Sequence, residues 1–137
     1  MEIKNNRTTL KKMEDTFNLM NRRYFDNNLP KPIFKVEDTD DYIGYCKYRE
    51  NVFHKRHHFT ISLSSKYKLS EKAFKTTILH EMIHYYIYYH KIKDNGTHGK
   101  KFMEWANYMN NDGYHISEFL NEGVTKVKKS WFKRFFC

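Results

Sequence analysis

Cysteine is nearly absent from this chain. Its two, Cys46 and Cys137, stand far apart and neither belongs to a C-x-x-C pair, so neither a disulfide framework nor a zinc ribbon is encoded. No stretch approaches the roughly 18 apolar residues of a membrane span, and the opening MEIKNNRTTLKK lacks the apolar core of a secretory signal. A cytoplasmic protein with no membrane partner is expected. Repeats, low-complexity linkers and a C-terminal prenylation box are also missing. Acidic residues are the scarcer charge: 16 Asp and Glu against 25 Lys and Arg, a net +9 and a pI near 9.4. That balance favours an anionic partner, nucleic acid before a membrane surface, although a merely solubilising surface accounts for it equally well. What is abundant is aromatic, with 11 Tyr and 11 Phe in 137 residues. The length suits one domain with an aromatic-rich core, taken as residues 1–122, followed by a basic aromatic tail over 123–137, and a monomer is expected.

The chemistry concentrates in residues 76–109, TTILHEMIHYYIYYHKIKDNGTHGKKFMEWANYM. HEMIH places His80, Glu81 and His84 in the pattern H-E-x-x-H. On an α-helix, residues four apart lie about 40° apart around the axis and one turn along it, so both imidazoles can reach one ion. Zinc accepts such nitrogens at roughly 2.0–2.1 Å. Glu81 falls about 100° from His80 on that helix, beside the ion rather than on it, where a carboxylate can act as general base. A helix is predicted here: Ser70 is a good N-cap, Glu71 suits the first turn, and no Pro or Gly interrupts residues 71–92. Phe74, Ile78, Met82 or Leu79, and Tyr86 recur at amphipathic spacing.

Three fixed positions in five can arise by chance, so the reading needs a third ligand. His90 has metzincin spacing, but Ile87 stands where that pattern has the Gly that turns the chain. On a continuing helix His90 lies about 120° from His84 and faces elsewhere. His98 follows the Asp94-Asn95-Gly96 turn and would sit in the first turn of a new helix marked by Phe102, Trp105, Ala106 and Met109. Glu104 is the carboxylate alternative, six positions further on, and one helix does not readily aim both at the same ion.

Taken together, LHEMIHYYIYYH, a polar loop and HGKKFMEWANYMN resemble the active-site segment of the SprT-like zinc metalloprotease family, whose pattern is H-E-x-x-H, a loop, then H-G-x-x-F. FNLMNRRYFDNNLPKPIFKV, Tyr42-Ile43-Gly44-Tyr45-Cys46 and Phe59-Thr60-Ile61-Ser62-Leu63-Ser64 resemble its opening helix and two of its strands, so the likeness covers roughly residues 10–115. The resemblance implies a zincin-like domain with one Zn2+ on His80, His84 and His98 and Glu81 as general base. It implies an endopeptidase acting on a protein or peptide substrate, including proteins bound or crosslinked to DNA. Many relatives also carry a Cys-rich ribbon, which this chain does not encode.

The rest of the chain reads as α+β. A helix is expected over 8–25, capped by Thr8 or Thr9, then strands around Ile33–Val36 and Tyr42–Arg49, and a half-buried third strand in which Phe59, Ile61 and Leu63 alternate with Thr60 and Ser62. A small, antiparallel three-stranded sheet covered by helices follows. Asp38-Thr39-Asp40-Asp41 is a solvated turn rather than a cation site, and 114–120 could form a short helix opened by Ser117. The basic connection 50–57, with Lys55 and Arg56, is a surface or nucleic-acid patch more than a metal site. In the tail, Lys126, Lys128, Lys129, Lys133 and Arg134 interleave with Trp131 and Phe side chains, a composition that can neutralise phosphates and stack on unpaired bases of single-stranded DNA. Packing of those aromatics onto the domain is the plainer alternative. Two rival functions stay open: a nucleic-acid-binding module with a structural or vestigial zinc site, and a dedicated processing peptidase unrelated to DNA.

Overall fold

The structure is a computed structural model that describes residues 7–120 and 122–126. Helix α1 (Leu10–Tyr24) begins where the Thr9 hydroxyl accepts the Lys12 amide, and it buries Met13, Phe17, Met20 and Tyr24 at three- and four-residue spacing. It stops at Asp26 and Asn27, both in the left-handed region (φ 52° and 59°). The returning chain is then pinned to the helix by Asn21, whose side chain donates to the Leu29 carbonyl and accepts the Leu29 amide.

Strands β1 (Ile33–Glu37), β2 (Gly44–Glu50) and β3 (Arg56–Ser64) form one sheet in the order β1-β3-β2. The sheet is mixed, not antiparallel as expected. β2 and β3 are joined by a tight hairpin and must pair antiparallel, whereas β1 docks on the other edge of β3 and runs parallel to it. The second half of β3 is covered on both faces: Thr60 and Ser62 are as buried as Ile61 and Leu63, so the half-buried alternation expected of it does not hold.

A second, two-stranded sheet had no counterpart in the sequence reading. It pairs β4 (Tyr67–Leu69) with β5 (Val124–Lys126). Asp40, in the acidic turn, receives both Lys66 and Lys126 at 3.2 and 2.5 Å, and the two cations hold its carboxyl below the usual range. The turn is thus a closure point for β5. These residues belong to the segment read as a tail; Lys128, Lys129, Trp131, Lys133 and Arg134 lie outside the described residues. Residues 114–120 form no helix: Ser117 bonds its hydroxyl to the amide and carbonyl of Phe119, closing a bend instead.

Helix α2 (Glu71–Tyr89) runs through the middle of the molecule. The sheet, α1, α3 (Lys100–Asn110) and β4 all pack against it. It is therefore buried continuously from Thr76 to Tyr85, not along one stripe. No described helix is long and apolar enough to cross a membrane.

Candidate metal centre

His80 and His84 come from the buried middle of α2, which the Ser70 hydroxyl caps at the Ala73 amide. The helix runs on to Tyr89, so His90 becomes its C-cap and packs its ring on Tyr86 and Tyr89, at 4.5 and 5.1 Å between centroids. That removes it from the cluster, as the rotation argument required. The chain then reverses through Lys91 (φ 52°) and Gly96 (φ 138°).

Two loop side chains set the next element. Asp94 accepts the amides of Lys101 and Phe102, both at 3.0 Å, and Asn95 accepts that of Lys100 at 2.7 Å. Burial alone would raise the Asp94 carboxyl, but these amide bonds outweigh it and hold the group below its ordinary range. Gly99 is the N-cap of α3, where a Cβ would collide with the capping oxygens of Asp94 and Asn95. His98 consequently sits just before the helix rather than in its first turn, its ring turned back to α2.

The three Nε2 atoms form a near-equilateral triangle, 3.2 Å from His80 to His84, 3.3 Å from His84 to His98 and 3.1 Å from His98 to His80. Two nitrogens bound tetrahedrally to one zinc at ordinary bond lengths stand about 3.3–3.4 Å apart, so the triangle fits such an ion closely. His80 and His84 are buried and His98 is partly exposed, which opens the site on the His98 side. Phe102 backs the cluster, its ring 4.7–4.8 Å from all three imidazoles. Its place after H-G-x-x would have marked it; its shared contact with every ligand ring is visible only in three dimensions. Tyr88, one turn beyond His84, stacks on that ring at 5.8 Å and 18° and was not foreseen, though the i+4 spacing was there to read.

Electrostatics prepare the imidazoles for a cation. Burial first, then the neighbouring rings, push His80 far below its usual range, against a backbone hydrogen bond with Ser117. Burial and His98 push His84 down to about 3, and burial lowers His98 against the pull of Glu118. All three are neutral near pH 7, with lone pairs free to ligate.

Glu81 is fully buried, and neither carboxylate oxygen has a hydrogen-bond partner among the described residues. Burial alone drives its carboxyl well above the ordinary range. Gly44 at the start of β2 makes room for it: a Cβ there would lie 2.7 Å from Glu81 Oε2. Three neutral imidazoles are a donor set suited to a dication, and the charge of such an ion would draw the neighbouring Glu81 carboxyl back to its ionised form. A cavity of about 480 Å³ lies between the start of α2 and the 115–123 segment, walled by Ser70, Thr76, Ile116 and Ser117, and none of His80, Glu81, His84 or His98 lines it.

The remaining sequence candidates lie apart. Glu104 is half exposed beside Lys101 and is not grouped with the histidines. Arg56 is engaged inside the fold, donating to the Tyr88 carbonyl at 2.7 Å, pairing with Glu50 and lying 4.4 Å over the Tyr48 ring. Lys55 is exposed in the hairpin, and Lys126 is tied to Asp40.

The fold and this cluster define an α+β protein whose His80, His84 and His98 could hold a metal ion. The SprT-like family model matches residues 13–123, and the chain belongs to the SprT-like family, one of metalloprotease-like domains. No match to it was found among curated proteins or among solved structures.

Proposed function

We propose that this chain is a zinc-dependent endopeptidase of the zincin kind, with Glu81 as its general base. One observation carries the reading: a preformed triangle of three neutral imidazole nitrogens, with a buried, unpartnered carboxyl next to one of them in sequence. His80, His84 and His98 would hold the ion. Zinc in such a site supplies Lewis-acid polarisation of a carbonyl and lowers the pKa of water toward about 7. Glu81, fixed by the surrounding core, takes the proton of the attacking water and later returns one to the leaving amine. Buried His80 and His84 exclude bulk water from one side, and the half-open His98 side admits substrate.

The rival, a binding module with a purely structural metal, leaves Glu81 without a purpose. An unsatisfied buried polar group costs about 1–3 kcal/mol, more when charged, and three histidines alone would serve a structural site. The substrate in our reading is a protein or peptide; the family likeness suggests DNA-bound proteins as the targets, and the net charge of +9 is compatible with an anionic partner.

The test is cleavage of casein and histone by the zinc-loaded chain, with and without single-stranded DNA, alongside Glu81→Gln. Cleavage that is lost in the variant while its zinc content stays intact is expected. Equal cleavage by the variant refutes the role of the base; inactivity of the zinc-loaded wild type on both proteins favours the rival. Activity indifferent to DNA points to a dedicated processing peptidase.

A further inference from the structure

On the arc of α3 turned away from the histidines, Tyr24, Glu104, Trp105 and Tyr108 bound an open cavity of about 390 Å³. Phe102, Ala106 and Met109 are the buried face of that helix, whereas Glu104 and Tyr108 lie one turn apart on its outer side with Trp105 between them. Tyr108 stands at 81° to both neighbouring rings, with centroids 6.0 Å from Tyr24 and 6.3 Å from Trp105. The three rings therefore make a corner rather than a stack. Two of the walls are held in place. Trp105 stacks on Phe25 at 4.8 Å and meets Tyr86 edge-on, and the Tyr24 hydroxyl donates to Asp112 at 2.5 Å. Tyr108 completes the corner at 59% exposure.

Aromatic faces carry the negative end of a quadrupole and attract cations, most strongly those that shed water easily. Glu104 is half exposed with Lys101 at 3.9 Å, and Asp112 at the Tyr24 end pairs with Arg23 at 3.5 Å, so each rim carboxylate has a cation beside it. Tyr24 already carries one cation, the Arg23 guanidinium 5.5 Å from its ring centre. A plain ammonium holds its hydration shell tightly, whereas a methylated one spreads its charge over apolar methyl groups that suit a ring-lined corner.

We infer that the Tyr24–Trp105–Tyr108 corner with Glu104 is a recognition site for a quaternary ammonium group, carried on a trimethylated lysine side chain or free, as in choline. The site uses none of the residues of the metal centre and does not depend on the proteolytic reading.

Three versions of one short peptide test it on the full chain: trimethyllysine, lysine, and the uncharged carbon isostere of trimethyllysine, with choline as a fourth probe. NMR of the Trp105 indole and calorimetry read the binding. The trimethyllysine peptide should bind at least about tenfold tighter than the isostere and than lysine, since the gain is cation–π in origin. Tyr108→Leu keeps apolar bulk at an exposed position and should weaken binding about fivefold or more; Glu104→Gln should weaken it and flatten its salt dependence. Choline matching the peptide assigns the site to a free ligand, and a clear preference for the peptide assigns it to a protein; both support the quaternary-ammonium chemistry. Absence of binding, an isostere or lysine peptide that binds as well, or unchanged affinity in both folded variants overturns it.

Discussion

Gly44→Ala isolates the placement of Glu81 from the metal ligands. The added methyl would lie 2.7 Å from Glu81 Oε2, about 0.7 Å short of the 3.4 Å at which ordinary contact begins. Its other neighbours, Leu63 Cδ2 at 3.0 Å and Thr77 Cγ2 at 3.1 Å, belong to fully buried side chains that have little room to retreat. The carboxylate is thus the group that must swing. No histidine atom is among the close neighbours of the new methyl, and Gly44 is not among the residues with positive φ, so neither ligation nor backbone strain enters. A misplacement of 1 Å can cost about 10²-fold in rate, which puts the expected fall in kcat at roughly 30- to 100-fold. Overpacking should cost about 1–3 kcal/mol of stability. Cleavage kinetics, zinc content by elemental analysis and thermal melting of the same sample separate the effects. Zinc retained, Tm modestly lowered and kcat collapsed is the expected pattern. A folded variant with kcat within about twofold of wild type would refute the claim that Gly44 positions the base.

Glu81→Gln should stabilise the metal-free protein at pH 8 but not near pH 4.5. Burial raises the folded-state pKa of Glu81, so its stability contribution is complete below the unfolded value and is lost as pH rises through the folded one; equal denaturation midpoints at pH 8 would contradict this. His98→Ala should lose most bound zinc while His90→Ala keeps it, because His90 caps α2 away from the triangle; elemental analysis showing the reverse would undo the ligand assignment. Asp94→Ala removes the acceptor of two α3 amides and should cost about 1–3 kcal/mol while loosening zinc through His98; a calorimetric zinc titration identical to wild type would show that the loop does not position that ligand.

Local order along one helix was enough to find three of the four site residues. His80, Glu81 and His84 are related by helical geometry alone, and an uninterrupted run from Glu71 with a Ser70 cap makes that geometry obligatory. The same geometry excluded His90. It could not decide between His98 and Glu104, since both lie beyond a turn whose path depends on Asp94 and Asn95 gripping amides five to eight residues later. The family pattern supplied the choice that local spacing could not.

What only the tertiary structure decided was where elements meet. Alternation in β3 is written into its residues, but whether one face or two is covered depends on what packs above and below the sheet. The direction of β1 is likewise a question of which edge it docks on, which no short window records. Three-residue strands such as β4 and β5 are too brief for periodicity to register, and Asp40 ties Lys66 and Lys126 together across 26 and 86 positions of chain. The buried state of Glu81 has the same origin: the residue was visible at once, but its solvent exclusion, raised pKa and dependence on Gly44 are properties of a packed neighbourhood that sequence order does not contain.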